Sequence, residues 1–428
     1  MKKLTKVLLI ALVIICLSVF VFSCNGKKVT QTEVQVLDDR FDLTNHVLNY
    51  IKDNYYDDVD YDEADFYAAY GIVSSLGNYN YIYSSEDLLG SDGKGFGLIV
   101  RNTVYNEHVI DFILPGSPFL QPFDGYTPQR GDEIYAIDAN RMSGLSSSLY
   151  SAFLSTLPSD REVTFTLLRD GEKFDVKYQK VDFSFPNCIY INDLPGVSSE
   201  FGYICLRTFD KTTNVLDEFK DAVRSFNEDG NRALILDLRG NGGGSSDVFR
   251  QVASALIGND VDLSGPILEI HYAKENRSVY VRPASVEYKI DTPVYVLCDG
   301  GTASASEALI GTMKAHNTLT ALIGKTTVGK GVAQNGFTTY EEGEKGIIVD
   351  KGIDENGNEV DLDLYFLQII VGKYYIYDGS VEGGKYCIHE NPFNPDIAVT
   401  GDNIISPDYS EDLYIREAIE HYNNHKSA

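Results

Sequence analysis

The sequence predicts an α/β protein, on three observations. Ala233–Leu238 (ALILDL), apolar apart from Asp237, and Val294–Leu297 have the continuous apolar character of strands buried on both faces. Each run is followed at once by glycines, Arg239–Gly244 (RGNGGG) after the first and Gly300-Gly301 after the second, and then by a helical pattern. Thr213–Phe226 is an amphipathic helix with Val215, Leu216, Phe219, Ala222, Val223 and Phe226 inward. Helices alternating with mostly buried strands make an α/β core.

At 428 residues the chain is long enough for two or three domains, each with its own core. Residues 1–23 carry Lys2, Lys3 and Lys6 and then an apolar run from Val7 to Phe22, which reads as a signal sequence. The ending Val21-Phe22-Ser23-Cys24 resembles a bacterial lipobox, which implies that Cys24 becomes a lipidated N-terminus. An uncleaved anchor helix and ordinary signal cleavage are the alternatives. Each route exports the remainder, and the expectation is a cell-envelope protein, lipid-anchored on the periplasmic side, with the polar residues 24–40 as a tether. Removing residues 1–23, which hold three lysines and no acid, takes the formal charge from −27 to −30. So acidic a surface disfavours nucleic acid and anionic lipid. Cys205 and Cys298 lie in apolar strand patterns and are expected as buried thiols. With no CxxC or HExxH spacing, neither a metal nor another cofactor is expected.

Residues 41–90 show two helical patterns, Leu43–Asn54 and Glu63–Leu76, expected to form a small helical unit. Residues 91–182 turn to strands: GFGLIV at Gly95–Val100, then VIDFILPGSPF, RGDEIYAIDANRM, a short helix around Leu149–Leu157, VTFTLLRDG and KFDVKYQ. This order resembles a PDZ domain. The resemblance implies that backbone N–H groups of Phe96, Gly97 and Leu98 receive a peptide's terminal carboxylate while the peptide adds to the sheet edge. A generic β domain packed beside the core is the alternative.

Residues 183–428 hold the α/β core. Phe201–Phe209 is a strand, and the three glycines of RGNGGG let the backbone approach a reacting group with its N–H groups free. No GK[ST] follows, so a phosphate loop is excluded, and Asp237 and Arg239 are expected to hold the loop in shape. After the second strand, TASASE (Thr302–Glu307) opens a helix, so its serines stand at a strand-to-helix corner where orphan N–H groups can stabilise an oxyanion. A serine needs a base. A lysine can serve when burial brings its pKa from about 10.4 to near 7, at a cost of about 4 kcal/mol. Lys330, between two glycines in Gly324–Gln334 (GKTTVGKGVAQ), is the candidate. Short strands follow at Gly346–Val349, Tyr365–Val371 and Tyr374–Tyr377, then NPFNPDIAV and a last helix at Glu411–Tyr422.

TASASE together with GKTTVGKGVAQ resembles the active-site region of the carboxyl-terminal processing (tail-specific) proteases, peptidase family S41. LRGNGGG and NPDIAV fit the same pattern, and the resemblance covers nearly everything after Asp42. It implies a crotonase-like ββα catalytic core, preceded by a PDZ domain and a small helical unit. It also implies a serine endopeptidase in which Ser304 is the nucleophile, Lys330 the base and Gln334 the residue that orients the lysine. The oxyanion N–H groups would be those of Gly244, with Gly243 close behind, and Ala305. Two departures stand out. Thr302 replaces a serine, and the separation of 26 residues between Ser304 and Lys330 is about one more than the family pattern, which puts an insertion in the Asn317–Thr320 turn. Ser306 is the competing nucleophile. The implied partners are exported polypeptides recognised by their C-termini and, through the lipid, a membrane; homo-oligomerisation is left open. Two rival functions are a catalytically inactive PDZ-containing peptide-binding or scaffold protein, and a serine hydrolase that uses histidine. For the latter, His316 falls at the far end of the helix after Ser304, where it suits a C-terminal cap.

Overall fold

The structure is a computed structural model that describes residues 61–84, 93–103, 105–257, 265–334, 347–353, 359–381, 383–401 and 403–426, with Leu43 and Val47 besides. The signal sequence, Cys24 and the tether lie outside the described residues, as does most of the first helical pattern. Among the described residues no helix is long and apolar enough to cross a membrane. Two compact units divide the chain, residues 1–71 and 72–428, and helix α1 (Tyr61–Ser74) runs across the division in sequence. All further description concerns the second unit.

Strand β1 (Tyr81–Ser84) stands where the sequence suggests the end of a helical segment. The residues YIYS are strong β formers and pair antiparallel with a strand far along the chain. A β-rich region follows: β2 (Lys94–Gly95), β3 (Leu98–Asn102), β4 (His108–Ile113), β5 (Glu133–Ile137), β6 (Asn140–Arg141), α2 (Ser147–Thr156), β7 (Val163–Arg169), β8 (Glu172–Tyr178) and β9 (Val181–Asp182). Strands β3-β4-β5-β7-β8 form one antiparallel sheet with β3 at its edge, and β2 pairs β9 to close the region. Its own core gathers Phe96, Ile110, Phe119, Ile134, Phe165, Leu167 and Val176.

The second region begins with β10 (Cys188–Ile191) and β11 (Phe201–Leu206), then α3 (Val215–Asp229), β12 (Ala233–Asp237), α4 (Ser246–Leu256), β13 (Leu268–Tyr272) and β14 (Arg277–Val281). It continues with β15 (Val294–Cys298), α5 (Ala305–Ala315), β16 (Ala321–Gly324), β17 (Val332–Gln334), β18 (Ile347–Ile353), β19 (Glu359–Gln368), β20 (Ile370–Tyr377), β21 (Lys385–Cys387), β22 (Ile397–Ala398) and α6 (Leu413–His425). The central sheet has the order β10-β11-β12-β15-β16-β22, parallel throughout except for β10.

Continuous apolar strands suit this sheet because both faces are covered. Leu234, Leu236, Val294 and Val296 point toward α3, α4 and α5, where Phe219, Phe226, Val252 and Leu309 meet them. Ala233, Ile235, Tyr295 and Leu297 point the other way, toward Tyr414, Ile415, Ala418 and Tyr422 of α6 and toward Phe112 of β4 and Leu114 just after it. One face of the sheet thus packs on the C-terminal helix and on the β-rich region together. Cys188, Cys205 and Cys298 are buried free thiols in this core. A second sheet, β14-β13-β20-β17, sits beside the helical face, with Ile376 of β20 near Gly311 of α5.

Candidate active site

Strands β12 and β15 are neighbours in the parallel sheet, and their carboxyl ends open into the two loops singled out in the sequence. Crevices at such strand ends are where open α/β sheets bind ligands. In the first loop the Asp237 carboxylate accepts from the Arg239 backbone N–H at 2.9 Å and from its guanidinium at 2.7–3.0 Å. Asn241, fully buried, does the fastening. Its amide donates to the Leu206 carbonyl (2.8 Å), its side-chain oxygen takes the Gly243 N–H (2.9 Å), and its carbonyl accepts from Ala303 N–H (3.0 Å) and from the Ser306 hydroxyl (3.0 Å).

Gly243 and Gly244 then differ. The Gly243 N–H is engaged by Asn241. Gly244 lies against Phe209 in a parallel bridge in which its flanking residues make the hydrogen bonds, so its own N–H points away from Phe209. A Cβ at Gly243 would stand 2.7 Å from Ser304 Cβ and 2.8 Å from the Ala305 nitrogen. The glycine loop and the Ser304 corner are therefore in contact. Ala305 is the first residue of α5, where an N–H has no intrahelical partner.

Ser304 takes φ 57 and ψ −116, a conformation that costs a non-glycine residue strain and is held here by its surroundings. Such a strand-turn-helix corner lifts a serine hydroxyl out of the backbone's way. Its N–H donates at 3.0 Å to Glu307, one turn into the helix. That carboxylate is fully buried and takes three more bonds, from the Thr327 hydroxyl (2.6 Å), Gly329 N–H (2.6 Å) and Lys330 N–H (2.8 Å). Ser304 N–H and Lys330 N–H share the same oxygen, Oε2, so one carboxylate clamps both loops. Ser306, in contrast, is fully buried with its hydroxyl committed to Asn241.

Burial lowers the pKa of Lys330, since desolvation disfavours the ammonium. Its Nζ lies 5.0 Å from the centre of the Tyr79 ring. Gln334 donates to the Tyr79 carbonyl at 2.5 Å, so it reaches the lysine through Tyr79. Tyr374, on β20, donates its backbone N–H to the Gly331 carbonyl at 2.8 Å and shares a side-chain hydrogen bond with Ser304; burial pushes its phenol up to about 12. His316 caps the C-terminus of α5, about 18 Å along the helix from Ser304.

Phe96, Gly97 and Leu98 lie on the β-rich region. Phe96 packs edge-on against Phe165 at 4.8 Å, Gly97 takes φ 63, and Leu98 opens edge strand β3. Sequence reasoning passed over four residues of this neighbourhood. Glu307 was legible as the fourth residue of a Ser-x-x-Glu box beginning at Ser304. Asn241 carries only the signal of its place in the glycine loop. Tyr79 and Tyr374 carry none, because distant pairing brings them in.

Residues 200–363 match the description Peptidase family S41, so this part of the chain is an S41 peptidase domain. Protease function is what that membership and the relatives support. The chain is 27% identical over 345 residues to the carboxy-terminal processing protease CtpA of Bacillus subtilis (strain 168), an alignment covering 79% of this chain and 70% of that protein. It is 30% identical over 173 residues to a protein of Staphylococcus aureus (strain N315) named probable CtpA-like serine protease, covering 40% of this chain and 32% of that one. The chain thus spans only about a third of the length of the second relative. A solved structure from Bacteroides fragilis NCTC 9343, named provisionally as an S41 protease, superimposes with a TM-score of 0.51 at 18% identity, over 82% of this chain and 87% of that one, which is a likeness of fold.

Proposed function

We propose that the chain is an exported serine endopeptidase in which Ser304 attacks the scissile carbonyl and Lys330 is the base. The observation that carries this reading is the Glu307 carboxylate. It takes the N–H of Ser304 and the N–H of Lys330 on one oxygen and so fixes the backbones of both residues together. Lys330 as a neutral amine removes the Ser304 Oγ proton as the acyl bond forms, then returns it to the leaving amine. The oxyanion is received by the N–H groups of Gly244 and Ala305. The direction of the Gly244 N–H favours it over Gly243, whose N–H Asn241 holds. Gln334 orients the lysine by way of Tyr79.

In this reading residues 183–428 form a crotonase-like catalytic domain, 91–182 a PDZ domain, and 41–90 a helical unit joined to the membrane by the 24–40 tether and a lipidated Cys24. Phe96, Gly97 and Leu98 receive the substrate's terminal carboxylate, which makes exported polypeptides with accessible C-termini the substrate class. The test is cleavage of an unfolded protein, followed by mass spectrometry, by the mature chain and by Ser304→Ala. Activity in the first and none in the second is the expected result, and activity in neither would favour a peptide-binding scaffold.

One observation favours a second reading, with histidine as the base. The His389 backbone nitrogen would lie 2.1 Å from a Cβ at Gly331, and His389 Nδ1 is buried without a hydrogen-bond partner among the described residues. Retained activity in His389→Ala with loss in Lys330→Ala is the outcome that fits lysine.

A further inference from the structure

An aromatic ring beside the Lys330 ammonium comes from far outside the matched domain. Tyr79 lies in the turn between α1 and β1, and three features hold that turn on the catalytic region. Strand β1 pairs with β19, Tyr81 opposite Gln368 and Ser84 opposite Tyr365. Asn80, buried, accepts from the Ile370 N–H at 2.9 Å while its amide donates back to the carbonyls of Leu76, Gly77 and Asn78 at 3.1–3.3 Å. Gln334 takes the Tyr79 carbonyl at 2.5 Å. Tyr79 itself is held at φ 72, a left-handed backbone that a bulky side chain adopts only when its surroundings impose it. The imposed conformation sets the ring over Lys330 Nζ at 5.0 Å.

We propose that Tyr79 is a positioning residue for the reaction, a cover that the Gly77–Ser84 strap lays over the Lys330 amine and that Gln334 holds closed by its backbone. The inference rests on the Ser304/Lys330 reading and adds to it what keeps the base dry. The ring acts on the amine in two opposed ways. Its face attracts the ammonium, and its bulk excludes the water that would solvate the charge. The second effect wins, burial being what lowers Lys330. The titratable groups of this neighbourhood are Glu307 from α5, which accepts from the Lys330 N–H, Tyr374 from β20, bonded to Ser304, Tyr81 from β1, beside Tyr79, Tyr386, which faces Glu307, and His389, whose backbone lies against Gly331. Glu307 is the acid among them, and its oxygens are engaged by the four donors described above.

The experiment follows the pH dependence of kcat/KM in the full chain. Tyr79→Ala opens the cover, and the acid limb should move up by about one pH unit, a tenfold loss below the limb with activity regained above it. Tyr79→Phe keeps the ring and should keep the limb in place. Gln334→Ala, which leaves the strap's side chains whole, should move it in the same direction as Tyr79→Ala and stands in if that variant does not fold. A second readout needs no turnover: the pH midpoint of Lys330 acetylation by trace acetic anhydride, read by mass spectrometry in a Ser304→Ala background. It should rise by a similar amount when Tyr79→Ala is added. Profiles that stay parallel to wild type, or an unmoved acetylation midpoint, overturn the proposal. Full activity in Lys330→Met would instead overturn the Ser/Lys reading, and the acetylation midpoint would still judge Tyr79.

Discussion

Ser304 and Ser306 stand two residues apart in one helical turn, yet their surroundings give them different work. Ser306 bonds the Asn241 carbonyl inside the core, so Ser306→Ala should cost about 1 kcal/mol of stability in a urea titration and leave proteolysis detectable. Ser304→Ala should abolish proteolysis and leave the melting temperature nearly unchanged. The opposite pattern would mean that the nucleophile is misassigned. Lys330 gives the pH test. Its folded-state pKa is depressed below the unfolded value, and as the proposed base it acts as a neutral amine, so activity should climb as pH rises through that depressed value. The same shift means that the unfolded chain holds the proton more tightly, and folding stability should rise as pH approaches about 10.4. Lys330→Arg, whose guanidinium stays charged, should be inactive at every pH. Ser304, Lys330 and Gln334, the proposed nucleophile, base and orienting residue, were legible in the sequence as residue types at a characteristic spacing. What Gln334 touches was not, because Tyr79 reaches it only through the pairing of β1 with β19.

The elements were mostly legible, for physical reasons that also explain the misses. Strand β15 is apolar throughout and β12 is apolar up to its last residue, Asp237, because helices cover one face and α6 with β4 the other, and such runs stand out in a sequence. The helix expected at 213–226 runs instead from Val215 to Asp229, ending where Gly230 takes a left-handed φ of 70. Apolar spacing marked its face and could not mark its last turn, which is polar. The strands expected near 346–349, 365–371 and 374–377 are longer, Ile347–Ile353, Glu359–Gln368 and Ile370–Tyr377, because backbone pairing continues through residues whose side chains gave no strand signal. The glycine loop invites a test at this scale. In Gly243→Ala the new Cβ would meet Ser304 Cβ at 2.7 Å on a residue whose φ is 98, so the loop and the serine corner must separate. Activity should fall by at least about a hundredfold, the scale of losing one oxyanion donor, with the circular dichroism spectrum intact. An active Gly243→Ala would mean that the loop does not border the reaction.

Across the whole molecule, one buried charge network joins the two regions. Arg101 of β3 reaches Asp237 at 2.9 Å and also pairs with Asp111, Arg130 pairs with Asp111 at 3.0 Å, and Arg239 bridges Asp237 at 2.7 Å and Asp412 at 3.0 Å. Burial pushes the Asp237 carboxyl up, but the Arg239 and Arg101 charges with hydrogen bonds from Arg239 and Tyr203 override it and hold it well below the usual carboxylate range. Asp111 is likewise lowered, Arg101 and Arg130 outweighing burial. Stability from these acids is complete above the unfolded value of about 3.9 and is lost as pH falls toward their depressed folded values, so acid should loosen the structure below about pH 4. Arg239→Met strips both carboxylates of a partner and should cost about 3–5 kcal/mol in denaturant unfolding, whereas a cost near zero would show the network to be dispensable.

Asp412 also caps α6, its side-chain oxygen accepting from the N–H of Tyr414 at 3.0 Å. The Arg239 that shapes the glycine loop therefore waits, during synthesis, for a carboxylate encoded 173 positions later. A nascent chain in which Ser304 and Lys330 have already left the ribosome still lacks one of the two carboxylates that hold Arg239, and with it the full support of the glycine loop.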